Sequence, residues 1–528
     1  MIRIKIIAAI MVLVGTLIVI SSFAKDNDVL LFLNWGEYID EEMLDAFEDE
    51  YGVTVNMSLG ESNEIFYSKV SSGTTVYDVV CPSDYMVEKM YYNGYLEKLD
   101  FKRINSFVYP YAISNGIDVE NEEEYNAFID SITSEDVINY VRTYELRNGV
   151  NKIYDDMNDN LRKQIVEIDN DEYIDHTIDN YFVPYLWGTW GNMYSTHKDG
   201  LEKAVTNDGL PWEKPNDAWA CLFDRDVLPK GTKVAMYDSH QHAYYAACRY
   251  LGYDTVDELG TTKLSNIKKT VKNMNYNAWG TDNIKKDIVA GNLHLGFMWT
   301  GDFLYYYAEQ ASKIGIDAFR NGDITYDEIT TFLRDITNDP FEDPSMAAPS
   351  FNQEYDKVYI AEDGSKYDIG FDFYIPDDTI AFCDNLVVTK KARHKDLAYD
   401  FINFMMNYTT TVDDKGEKDI SSSVTYSNTY YVCYDGPYND VYDTMCDLAN
   451  NDIRDWEENE INEYVTSAKK AKNKNKYDTD LYWYMYDYVT GIAFQKYYER
   501  DTEKGNILAM FDRKYIRQIN STFNNARV

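Results

Sequence analysis

Residues 29–59 read VLLFLNWGEYIDEEMLDAFEDEYGVTVNMSL, and this stretch decides the fold. Val29 to Leu33 is an apolar run of strand length. Glu41 to Tyr51 spaces Leu44, Phe47 and Tyr51 as a helix does, and Val53 to Met57 returns to strand. Working outward, Asn63 to Ser71 reads as a second helix and Tyr77 to Cys81 as a third strand. Strands alternating with helices give a largely parallel sheet covered on both faces, an α/β fold. The first and third strands each run into aromatic and acidic residues, Asn34-Trp35-Gly36-Glu37-Tyr38 and Pro82-Ser83-Asp84-Tyr85. Open α/β sheets take ligands beyond their strand ends. Ring faces beside carboxylates attract cations, so the residues alone describe a site friendly to a cation.

The rest of the chain bounds the answer. At 528 residues it exceeds one ordinary core, which predicts two or more lobes. Fifty basic against 90 acidic residues give a net charge of −40, which argues against nucleic acid as a partner and favours cationic ligands. Keeping an extracytoplasmic protein soluble is the larger contribution of that acidity. Arg3 and Lys5 precede an apolar stretch from Ile6 to Ile20, followed by Ser22 and Ala24 before Lys25. This is the layout of a secretory signal, either cut after residue 24 or kept as an N-terminal anchor. The six cysteines are irregularly spaced and include no CxxC pair, so a zinc site of that kind is not expected. Cys433 and Cys446 are the closest in sequence and suggest a bridge only weakly.

The order of the segments Asn34 to Tyr38 and Tyr77 to Tyr85, with the helix between them, closely resembles the spermidine/putrescine-binding proteins of bacterial ABC importers. The resemblance implies a two-lobe, periplasmic-binding-protein-like fold of type II carrying helical insertions. On it, residues 25–190 form the N-terminal lobe with an insertion at about 103–180, in which Thr133 opens a helix running to Leu146. The second lobe covers 191–382 with an insertion at about 314–372. The chain returns to the first lobe over 383–428, and a helical region 429–528 packs on the second lobe.

The same resemblance implies an interlobe cleft lined by Trp35, Glu37, Tyr38, Ser83, Asp84 and Tyr85, by Trp299, and by Phe382, Asp384 and Tyr426. Trp299 would stack along an alkyl chain, Asp384 would pair with one amine and Glu37 would lie near the second. The three tyrosines would line the wall. A polyamine is an apolar rod with ammonium ends, which suits flat rings and spaced carboxylates. The implied function is capture of putrescine or spermidine for delivery to an ABC permease, by a monomer with no cofactor, no metal and no enzymatic activity. Two alternatives keep their place: another small solute, such as an amino acid or peptide, on the same fold, or a surface sensor or interaction protein.

The chain departs from the family at three points. Gly36 stands where a hydroxyl is common, and Phe382 replaces a tryptophan. After the strand Lys233 to Tyr237, Ser239 and His242 occupy the two positions at which the family carries acids, leaving Asp238 as the nearby carboxylate. A helix N-terminus carries positive potential, so a cation there needs acids to offset it. His240 and His242 lie about 200° apart on a helix, which predicts exposed imidazoles rather than a metal pair. Asp317 to Glu328 echoes a calcium loop, but Phe319 breaks it, and Thr325 with Glu328 reads as a capping box. The run Lys469 to Lys476 reads as a solvated loop.

Overall fold

The protein is described by a computed structural model covering residues 29–142, 178–206, 219–337, 357–376, 378–407, 411–412, 418–498 and 513–527. The expected export segment, and the end of the helix that begins at Ser134, lie outside these residues. The strands are, in chain order, β1 (Val29–Asn34), β2 (Thr54–Leu59), β3 (Val79–Val80), β4 (Val183–Ser195), β5 (Val234–Tyr237), β6 (Ala278–Gly280) and β7 (Leu295–Trp299). They continue with the short hairpin β8 (Tyr359–Ile360) and β9 (Lys366–Tyr367), then β10 (Phe371–Tyr374) and β11 (Ala381–Val388), and end with the antiparallel pair β12 (Thr411–Val412) and β13 (Lys418–Asp419).

The chain divides into two compact units. Among the described residues the first holds those up to Gly188 together with Ala381–Thr444, and the second holds Thr189–Ile380, 445–498 and 513–527. The sheet of the first unit runs β2-β1-β3-β11, with β1 parallel to both neighbours and β11 antiparallel to β3. The second runs β6-β5-β7-β4, with β5 parallel to both neighbours and β4 antiparallel to β7. Each unit thus follows one order: second strand, first strand, third strand, then an antiparallel strand near a point where the chain changes units. This is the α/β class expected from residues 29–59.

Local chemistry accounts for the elements. The helix Glu41–Tyr51 is capped by Asp40, whose side chain accepts from the Glu42 N–H, and ends at Gly52 with φ 64°. Phe47 is fully buried, with its ring 4.5 Å from Tyr51, 5.1 Å from Phe401 and 5.3 Å from Phe404. Burial of one such side chain stabilises by roughly 1.5–3 kcal/mol. In the second unit the helices Thr300–Asn321 and Asp480–Tyr497 approach closely, and a Cβ on Gly315 would lie 2.6 Å from the Met485 sulfur.

Several expectations are corrected. β11 runs unbroken through Asp384, an internal residue of the strand that bridges Ser83. Thr300-Gly301-Asp302 forms the first turn of the 22-residue helix Thr300–Asn321. The basic run is partly docked: Lys476 pairs with Asp317 at 2.5 Å and Lys469 lies over the Phe319 ring. Thr325 and Glu328 do form a capping box. None of the six cysteines forms a disulfide, so Cys433 and Cys446 are unbridged. No helix among the described residues is long and apolar enough to cross a membrane.

Candidate functional site: a buried carboxylate pair and a ring cluster

In the first unit, β3 ends three residues before Ser83, which opens the helix Asp84–Tyr92. Ser83 makes no side-chain cap bond to that helix; its hydroxyl donates instead to Asp384 Oδ1 at 2.6 Å. Asn63, just beyond β2, holds Ser83 from the other side. Its amide donates to Ser83 Oγ at 2.9 Å and its carbonyl accepts from the Ser83 N–H at 3.1 Å. Asp84 accepts from the Tyr85 N–H at 2.6 Å and the Cys383 N–H at 3.2 Å. The segments beyond β2 and β3, together with β11, therefore deliver two carboxylates to one place.

Both carboxylates are buried, Asp84 at 1% and Asp384 at 4% exposure, and neither has a cationic partner among the described residues. Burial pushes the Asp84 carboxyl up to about 7. The Tyr85 and Cys383 N–H groups pull against that shift, and the Asp384 charge adds to it. Burial likewise raises Asp384 to about 7, against the Ser83 and Tyr38 hydroxyls. An isolated buried charge is expensive, and proteins pair it or neutralise it. Here neutralisation by protons near pH 7 is what the chain itself provides.

Tyr38 is buried, and its ring meets Tyr434 edge-on at 5.0 Å and Tyr185 at 6.1 Å. Its hydroxyl makes no hydrogen bond of normal geometry yet lies within electrostatic reach of Asp384. Burial first, then that carboxylate, raise its pKa. The Trp35 ring stacks at 4.4 Å on Phe66, and its indole N–H is buried without an acceptor. Phe382 lies 6.0 Å from Tyr434. Glu37 is exposed at φ 54°, on the turn after β1. Tyr426 lies on the helix Val424–Val432 with its ring stacked on Tyr430, and the ring found beside Tyr38 is that of Tyr434. Asn63, Tyr185 and Tyr434 are thus neighbours that the sequence reading missed. Asn63 alone carried a signal, its place just past a strand end.

The second unit gathers rings. Trp190 on β4 faces Trp299 on β7 in register, with centroids 3.8 Å apart, and the His242 ring lies 4.5 Å from Trp190. Tyr237 meets Trp190 edge-on at 4.6 Å. The expected exposed imidazole is corrected: His242 is buried, bonded through Nδ1 to Ser239 Oγ at 2.7 Å, and burial lowers its pKa to about 3. It is a neutral ring at physiological pH. Ser239 still precedes the helix His240–Leu251 as its cap, but its hydroxyl serves His242. Two acids near these strand ends are already paired. Asp302 holds the buried Lys285 at 2.9 Å, and Asp238 holds Arg527.

The first unit thus buries a carboxylate pair that has no cationic partner among the described residues. The chain is similar in sequence to curated polyamine-binding proteins. No protein-family model matches it. It is 26% identical over 286 residues to the spermidine/putrescine-binding periplasmic protein of Salmonella typhimurium, covering 53% of this chain and 61% of that one. It is 21% identical over 403 residues to a putrescine/cadaverine-binding protein of Pseudomonas aeruginosa, covering 75% and 80%. The chain thus spans only about 61% of the length of the Salmonella relative. Among solved structures, the Tp0655 lipoprotein of Treponema pallidum is 17% identical with a TM-score of 0.48, covering 95% of this chain and 99% of that one.

Proposed function

We propose that the protein is an extracytoplasmic substrate-binding protein that captures a polyamine, putrescine or spermidine, and delivers it to an ABC importer. It acts as a monomer without catalysis, and residues 1–24 serve its export. The observation that carries this reading is the pair Asp84 and Asp384, buried together with no cation of the chain's own. An ammonium group placed there would supply the missing countercharge and hold both carboxyls ionised. Tyr38, Ser83, Tyr85, Trp35 and Phe382 would surround it, with Glu37 and Tyr426 further out. In the second unit, Trp299, Asp238, Ser239 and His242 are the residues that the resemblance implies for ligand binding, with the Trp299 and His242 rings offering apolar faces for methylene groups. The relatives' names point the same way.

A narrower ligand is favoured by one observation. Where two acids were expected in the second unit stand a neutral His242 and Ser239, and Asp238 is taken by Arg527. A short diamine, or a solute with one cationic end, fits this better than a long polyamine. Calorimetric titration with putrescine, spermidine and a neutral amino acid tests the proposal. One site per chain for an amine is expected. Binding of the neutral solute alone would overturn it.

A further inference from the structure

In the second unit, β4 and β7 are antiparallel neighbours, and Trp190 is in register with Trp299, the last residue of β7. Tyr237 is the last residue of β5, and His242 lies in the first turn of the helix His240–Leu251 that follows it. These residues mark the carboxyl ends of the unit's parallel strands, the end at which α/β sheets take ligands. The Trp190 indole lies among them. Its centroid is 3.8 Å from that of Trp299, 4.5 Å from His242, 4.6 Å from Tyr237 and 4.7 Å from Phe297. The backbone beneath it is pinned on both sides. The Trp190 N–H donates to the Ile380 carbonyl at 2.9 Å, and the Trp190 carbonyl accepts from the Thr379 hydroxyl at 2.6 Å.

Two observations separate this ring from ordinary core packing. Trp190 is fully buried, and its indole N–H has no acceptor among the described residues. Buried tryptophans usually pair that group, and leaving it unpaired is unfavourable, so a leucine or phenylalanine would pack here without that cost. The second observation is where exposure begins. Trp190, Phe297, Tyr237 and His242 are all buried, while Trp299 stays partly open. A solute therefore meets this unit at Trp299, and the space beside that ring is already taken by the indole.

We propose that Trp190 sets the length of amine that the protein accepts. Its indole fills the room beside Trp299 that the aminopropyl arm of spermidine would need, so putrescine-sized diamines are preferred to triamines. His242, against the same indole, is a neutral ring and offers no charge to a further ammonium. The inference rests on the polyamine reading above and adds to it the residue that selects among amines. Trp190 acts by bulk, not by pairing with a charge.

Calorimetry on the full chain tests this, with putrescine and spermidine titrated separately into the wild type, Trp190→Ala, Trp190→Phe and Asp384→Asn. The wild type should bind putrescine the more tightly. Trp190→Ala should move the ratio of the two affinities towards spermidine by at least about tenfold, the scale on which a pocket senses a single methylene. A purely structural role would weaken both amines by the same factor and leave their ratio alone. Trp190→Phe keeps a ring in place and should shift the ratio the same way by a smaller step, which decides the matter should Trp190→Ala fail to fold. Indole added to Trp190→Ala should restore the preference for putrescine, because small aromatics enter apolar cavities left by truncation. Asp384→Asn should weaken both amines without moving their ratio. A wild-type ratio in both Trp190 variants would overturn the proposal and leave the polyamine reading standing, as would tighter binding of spermidine by the wild type. A wild type that binds neither amine would overturn the polyamine reading and this inference with it.

Discussion

The two units share a strand order and treat charge in opposite ways. In the second, every strand-end acid described above is matched from within: Asp302 by Lys285 and Asp238 by Arg527. Asp372, on β10, is held by Lys357 at 2.6 Å. His242 of this unit is kept neutral by burial. In the first, Asp84 and Asp384 are buried beside one another with N–H and O–H donors only. Burying a carboxylate without a partner costs several kcal/mol, so a chain that solves this problem repeatedly in one unit has left it open in the other. That asymmetry is what points to the first unit as the seat of a ligand's charge.

The comparison breaks most visibly at Lys285. Its side chain is 4% exposed and paired with Asp302 at 2.9 Å. Lys285→Gln leaves a largely buried carboxylate unpaired, and removal of one partner of such a pair costs about 3–5 kcal/mol. Denaturant melts should show that loss. The counterpart in the first unit, Asp384→Asn, removes a charge that had no partner, so the ligand-free protein should melt at the same temperature or higher at pH 8. A fall in stability comparable to that of Lys285→Gln would mean that Asp384 has a role in the unliganded fold.

Asp384→Asn should act on binding instead. Truncating one partner of a buried charge pair costs about 2–5 kcal/mol, at least a tenfold loss of amine affinity by calorimetry. Normal putrescine binding by this variant would remove the first unit from the proposal. His242→Glu, by contrast, places a charge beneath Trp190, where the structure holds a neutral ring. It should destabilise the protein rather than improve the site.

The two units should also respond to pH with opposite sign. Asp84 and Asp384 have folded pKa values near 7, raised from the usual carboxylate range. Their contribution is therefore fully present below about pH 4 and lost as pH rises through 7. A bound amine reverses this by favouring the ionised pair. The ligand-induced rise in melting temperature should grow from pH 5.5 to 8, with proton release near 7 measurable in buffers of different ionisation enthalpy. His242 has a folded pKa near 3, lowered from 6.5, so its contribution is present above 6.5 and lost as pH falls towards 3. His242→Gln should flatten that acid limb. A pH-independent ligand shift would show that the carboxyls are not where the amine sits.

The sequence carried the fold through local regularity. β1, the helix Glu41–Tyr51 and β2 declare themselves by period and by the Gly52 stop, and the like order of strands follows from them. It failed where tertiary partners overrule local character. Polar Asp384 and Asn385 looked like a strand end, but the bridge to Ser83 continues β11 through them. The imidazoles after β5 looked exposed, because the helix that covers His240 is encoded far downstream. The acids of the site were legible as residues. That they are buried and unpaired was not, since burial is decided by elements brought together from 63, 83 and 384.

The smallest expected effect concerns the wall of rings. The family resemblance assigns a lining role to Tyr426, yet the ring beside Tyr38 and Phe382 is that of Tyr434, at 5.0 Å and 6.0 Å. Tyr426 lies half-buried with its ring on Tyr430. Substitutions away from buried features usually stay within about 0.5 kcal/mol, so Tyr426→Phe should change putrescine affinity by less than about threefold. Tyr434 is 4% exposed, and Tyr434→Leu replaces an edge-on ring contact worth about 0.5–1.5 kcal/mol beyond its buried area. It should loosen Tyr38 against Asp384 and weaken binding more than Tyr426→Phe does. Calorimetry on the two variants decides between the rings. The reverse order, with Tyr426→Phe the more damaging, would return the lining role to the position that family likeness gave it and place Tyr434 in the core alone.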